Sequence, residues 1–135
     1  MKQTADSSVT IAALLGGHPA HDAAADALAA CQATIAHVAL ETYSVLTRLP
    51  PPNRADATTA ITALSARLPA PYVTLDASRC AETPARLARA GVSGSATYDG
   101  LIALTALEHG FELCTRDIRA ERAYRALNVP YRLFR

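Results

Sequence analysis

The chain has 135 residues, half of them hydrophobic, which is the length of one domain and enough apolar material for a core. Only 5% are aromatic, so alanine and aliphatic side chains must fill that core. A formal net charge of +1 with 19% charged residues carries no global signature of nucleic-acid binding, and Lys2, the only lysine, weighs against chemistry that needs a central one.

Taken in chain order, Lys2 to Ala5 is expected as a first strand and Ser7 to Leu15 as a helix stopped by Gly16-Gly17. Pro19 suits a first helical turn, and Ala20 to Ala30 is made of strong helix formers. Ala33 to Ala36 can form a strand, followed by helices over Val38 to Leu49 and Arg54 to Leu68, separated by the Pro50-Pro51-Pro52 break. Tyr72 to Leu75 is a candidate strand, and the helix after it runs to about Ala90, before Gly91. A helix over Thr97 to His109, a strand over Phe111 to Thr115, a helix over Ile118 to Leu127 and a strand over Val129 to Phe134 complete the chain. No internal repeat or interdomain linker interrupts this order, so residues 1–135 are expected to form a single domain.

Strands alternating with helical crossovers predict an α/β fold: a three-layer α/β/α sandwich with a central, mostly parallel sheet. The first strand conflicts with that picture, because Lys2, Gln3 and Thr4 are polar where a central parallel strand should be apolar. Cys31, Cys80 and Cys114 are scattered, with no CxxC, and imply a reducing compartment rather than a disulfide framework. His18 and His21 have HxxH spacing without a cysteine pair, and are expected as surface or helix-start residues. With no signal-like apolar segment and no run of about 20 apolar residues, a soluble, cytoplasmic protein is expected, with no membrane association.

In parallel sheets of this kind, function sits at the carboxyl ends of the strands. Asp6 directly follows the first expected strand, and Asp117 lies just past the Phe111–Thr115 strand. Glu41, between Val38 and Val45, falls on the apolar stripe Val38, Val45, Leu49, where an ionised carboxylate is costly without a partner. Asp99 opens a helix that is apolar almost all round. Each acid has a simpler explanation: Asp6 and Asp117 as helix caps, Asp99 as a dipole partner, Glu41 as the mate of an arginine. A shared site explains all four at once. Converging carboxylates repel unless a cation neutralises them, and an oxygen-only ligand set suits Mg²⁺ (or Mn²⁺).

Asp6-Ser7-Ser8-Val9, the segment His37 to Leu49 carrying Glu41, Tyr98-Asp99-Gly100-Leu101-Ile102-Ala103 and Leu113-Cys114-Thr115-Arg116-Asp117 together resemble the PIN-domain family of VapC-type toxin ribonucleases. The likeness covers essentially the whole chain. It departs at Gly100, where the family usually has alanine, and in the polar first strand. The resemblance implies a PIN-like fold, usually a homodimer, and metal-dependent cleavage of RNA. It further implies Asp6 and Asp99 as main metal ligands, with Glu41 and Asp117 completing the catalytic site directly or through water. Thr115 would orient the fourth acid or a water, and a cognate antitoxin would cover the site.

Beside these acids, Arg116 is the best candidate for an RNA phosphate contact; the repeat Arg116, Arg119, Arg122, Arg125 is otherwise a solvated helix face. Ser8 starts a helix at a strand end, where backbone N–H groups can hold a phosphate, although capping explains it equally well. Tyr43 and Tyr98 could stack on bases, but packing near the site is the favoured expectation. The alternatives are a catalytically inactive PIN-like partner-binding protein, disfavoured by the intact acids, and a DNA nuclease, disfavoured by the small size. No GxGxxG or GK[ST] supports dinucleotide or nucleotide binding.

Overall fold

A computed structural model describes residues 1–135. Strand β1 (Gln3–Ala5) leads into α1 (Ser7–Leu14) and α2 (His21–Ala29); β2 (Thr34–Ile35) leads into α3 (Ala36–Arg48) and α4 (Ala57–Arg67). Strand β3 (Tyr72–Val73) precedes α5 (Ala77–Arg89) and α6 (Thr97–Glu108), β4 (Glu112–Thr115) precedes α7 (Glu121–Ala126), and β5 (Tyr131–Leu133) closes the chain. Helix α4 starts three residues later than expected because Asp56 caps it, accepting from Thr59 N–H at 2.7 Å. The helix expected over Ile118 to Leu127 begins as a 3₁₀ turn, Ile118–Ala120, before α7.

Every strand pair is parallel. Strand β4 lies between β1 and β5, with Ala5 opposite Cys114 and Thr115 opposite Leu133; β2 pairs with β3, Ile35 opposite Val73. The two ladders meet where Gln32 N–H donates to the Gln3 carbonyl and the Thr4 hydroxyl donates to the Ala33 carbonyl, both at 2.9 Å. The latter contact resolves the conflict over the polar first strand. Thr4 is fully buried, and its hydroxyl is satisfied by the neighbouring strand. Gln3 sits at the amino-terminal edge, where its amide donates to Glu112 at 2.7 Å.

The pleat sends alternate side chains of β4 to opposite faces. Leu113 joins a core built with α5, α6 and α7, around Leu87, Ile102, Leu104 and Tyr124. Cys114 joins a second, alanine-rich core with Val9, Ala12 and Ala13 of α1 and Ala24 and Leu28 of α2. Helices therefore cover both faces of the parallel strands. A helix that returns the chain between parallel strands runs against them, so α6 begins at their carboxyl edge, where β1, β2 and β4 end. No helix is long and apolar enough to cross a membrane.

Gly100 has a packing role that the sequence does not disclose. It is buried, and a Cβ added there would lie 2.5 Å from Leu87 Cδ2 and 3.4 Å from Val92 Cγ1. The cost in helix propensity is offset by the close approach of α5 to α6. Gly100→Val is expected to lower stability by about 1–3 kcal/mol through overpacking, read as a lower urea midpoint at unchanged slope; an unchanged or higher midpoint would show that Leu87 yields freely.

Candidate functional site

Asp6 stands where β1 becomes α1. It is 3% exposed and serves as the helix N-cap, its Oδ1 accepting from Ser8 N–H at 3.0 Å and also from the Ser8 hydroxyl. Its other oxygen, Oδ2, accepts from the Tyr124 hydroxyl at 2.7 Å. Burial raises the Asp6 pKa, against the pull of its hydrogen bonds from Ser8, Thr115 and Tyr124. The capping role is thus real, and it leaves Asp6 rigid and buried.

The Ser8 hydroxyl also accepts from Arg116 N–H at 2.8 Å, and Thr115 Oγ1 accepts from Asp117 N–H at 3.0 Å. These bonds stitch the end of β4 to the start of α1. Asp117 caps its own turn, with Oδ1 accepting from Arg119 N–H at 2.9 Å. Its ion pair with Arg119, at 3.7 Å, involves a side chain that is 93% exposed, so it contributes little.

Glu41 lies in the second turn of α3, with its side chain about one-third exposed. The helix buries Val38, Thr42 and Leu46, so of the expected stripe Val38, Val45 and Leu49 only Val38 is fully buried, and Glu41 flanks the buried face rather than lying in it. No arginine pairs with it. Its Oε1 is buried with no partner in the protein and lies 3.8 Å from His37 Nε2, also without one. Burial lowers the pKa of His37, favouring the neutral ring. Burial, and then the charge of Asp6, raise the pKa of Glu41.

Asp99 opens α6 in its first turn. Burial pushes its carboxyl up to about 6, and the charges of Asp117, Asp6 and Glu41 add to the shift against a small opposing pull from Arg119. Four acids far apart in sequence therefore share one electrostatic neighbourhood at the carboxyl edge of the strands. No three His, Cys, Asp or Glu side chains are grouped tightly enough to enclose an ion unaided.

Of the residues considered beside the acids, Ser8 and Thr115 are bound into this network. Arg116 is anchored by its backbone, and its Nε is buried without a partner. Arg125 instead joins Glu121 and Tyr131, in a separate surface cluster. The largest cavity, 440 Å³, is lined by Arg119 and Arg122 and contains none of the four acids, so volume alone does not locate the chemistry. Two features went unseen in the sequence. One is Tyr124, although its spacing with Ala120, Ala123 and Leu127 marks an inward helix face. The other is the stack of His37 on Tyr98, with centroids 5.3 Å apart and planes 12° from parallel.

Tyr124→Phe removes the donor to Asp6 Oδ2 and leaves a buried carboxylate oxygen short of one bond. Stability is expected to fall by about 1–3 kcal/mol, measured by urea denaturation. Wild-type stability in that variant would mean that the bond does not hold Asp6.

Residues 4–126 match the PIN domain family model. The chain is 42% identical over 128 residues to Ribonuclease VapC40 of Mycobacterium tuberculosis, covering 95% of this chain and 96% of that protein. It is 41% identical over 125 residues to Ribonuclease VapC27 of the same organism, covering 92% and 90%. A family match across most of the chain, relatives aligned nearly end to end, and helices on both faces of parallel strands with acids at their carboxyl edge lead to one conclusion: the chain belongs to the PIN domain family, among relatives of the VapC type.

Proposed function

We propose that this protein is a divalent-cation-dependent endoribonuclease, the toxin of a toxin–antitoxin pair. One observation carries the reading. Asp6, Glu41, Asp99 and Asp117 are held at one sheet edge although burial and their mutual charges oppose ionisation, to the point that Asp99 is pushed up to about 6. Such a cluster is costly by itself and suits a bound cation. The relatives named as ribonucleases supply the substrate class.

The donor set fits Mg²⁺ (or Mn²⁺): it is all carboxylate oxygen, and one oxygen, Glu41 Oε1, is buried without a partner. Asp6 and Asp99 would be the direct ligands, with Glu41 and Asp117 acting directly or through water. Because the acids do not close on one point unaided, water would complete the shell, as Mg²⁺ prefers. The bound cation would supply an activated water and neutralise charge developing on the phosphate during phosphodiester hydrolysis.

The protein's own contribution is preorganisation. Three hydrogen bonds fix Asp6, and Thr115 Oγ1 holds the backbone that presents Asp117. Arg116 lies one residue from Asp117, where its guanidinium would meet a phosphate of the RNA. Ser8 serves the same substrate by holding Asp6 and the Arg116 backbone. A cognate antitoxin would restrain the enzyme by covering this edge. The exposed side chains of Leu40, Ile61 and Tyr72 line an apolar hollow on α3, α4 and β3, the kind of face that a homodimer or the antitoxin would cover. The cytoplasm is the compartment where such a nuclease meets its RNA.

Purified protein freed of antitoxin is expected to cut total cellular RNA into discrete fragments with Mg²⁺ or Mn²⁺ and to do nothing in EDTA. Asp99→Asn should abolish cleavage while keeping the wild-type circular dichroism spectrum. Equal cleavage by wild type and Asp99→Asn, or cleavage undiminished by EDTA, would refute the reading.

A further inference from the structure

Beside the acids, a hollow of 240 Å³ is lined by Ser7, His37, Glu41, Arg48 and Tyr98, among others. It contains two features that the metal chemistry does not use. The first is an aromatic platform. Tyr98 is backed on one side by the stacked ring of His37 and remains 56% exposed. The second is a guanidinium. At the rim, Arg48 spends its Nε–H on Ser44 Oγ at 3.3 Å and forms no salt bridge with any carboxylate, which leaves its terminal nitrogens for an anion.

An aromatic face and a rim guanidinium match two parts of one nucleotide, the base face and the phosphate. We propose that this hollow is a nucleobase subsite, which takes the base of a single-stranded RNA nucleotide beside the scissile phosphate, stacked on Tyr98 with a phosphate at Arg48. The assignment rests on the nuclease reading and adds to it the element that selects where RNA is cut. The subsite demands an unpaired base, since a base inside a duplex offers neither its face nor its pairing edge.

The test uses a fluorescein-labelled single-stranded RNA spanning the wild-type cleavage site. Its binding is measured with Mg²⁺ on protein made inactive by Asp99→Asn, and again after adding Tyr98→Ala or Tyr98→Phe. Tyr98→Ala is expected to weaken binding about tenfold, as loss of one base stack does, and Tyr98→Phe to leave it unchanged. An abasic nucleotide placed at each flank in turn should weaken binding to the Tyr98 protein at one position, and not weaken binding to the Tyr98→Ala protein there. In the active enzyme, Tyr98→Ala should raise KM more than it lowers kcat. Equal binding by the Tyr98→Ala protein, or an abasic penalty that is the same with and without Tyr98, overturns the subsite while leaving the nuclease intact. A wild-type enzyme that cuts no RNA overturns both.

Discussion

Ionised carboxylates repel, and burial strengthens that repulsion by removing the water that would screen it. The fold accepts this conflict at one place, the carboxyl edge of its parallel strands, where burial and three other acids push Asp99 up to about 6. Much of the surrounding structure can be understood as support for that arrangement. Tyr124 reaches through the core to Asp6, Ser8 ties Asp6 to the backbone of Arg116, and Thr115 ties down the backbone of Asp117. Each bond restrains an acid that would otherwise turn towards solvent.

Topology explains why the acids meet at all. Strands β1, β2 and β4 run in the same direction, so the residues that follow them emerge at one edge. Asp6 and Asp117 follow β1 and β4, and α3, which carries Glu41, follows β2. Helix α6 returns the chain against the strands and delivers Asp99 to the same edge from its first turn. The two alanine-rich and aliphatic cores hold these elements with few aromatics, and Tyr124, the largest fully buried side chain, serves the core and the site together.

The sequence disclosed the parts of this design that depend on local pattern. Strand–helix alternation predicted the layered fold, and the positions of Asp6 and Asp117 just past strand-like segments predicted their shared edge. Boundaries shifted where a cap or turn decided them, as at Asp56 and at Ile118–Ala120. The stripe on α3 was misplaced because Thr42 is buried: its hydroxyl is satisfied by the Val38 carbonyl at 2.7 Å and by Thr10 at 2.6 Å, so a polar residue occupies a core position. Tyr124 was missed because its partner lies 118 residues away, and no local pattern encodes such a contact. The same limit hid the close packing of Gly100 against Leu87 and the stacking of His37 on Tyr98.

The central claim is that the acidic cluster is built for a cation, and protons report it most directly. In the metal-free protein Asp99 holds its proton up to about pH 6. A bound cation favours the ionised form, lowers that pKa and must expel the proton. Calorimetric titration with Mn²⁺ at pH 6, in two buffers of different ionisation enthalpy, should therefore show proton release on binding. The release should fade at pH 7.5, where Asp99 is already ionised, and should be diminished in Asp99→Asn. Binding with no proton release at pH 6, or no binding of Mn²⁺ at either pH, would contradict the account.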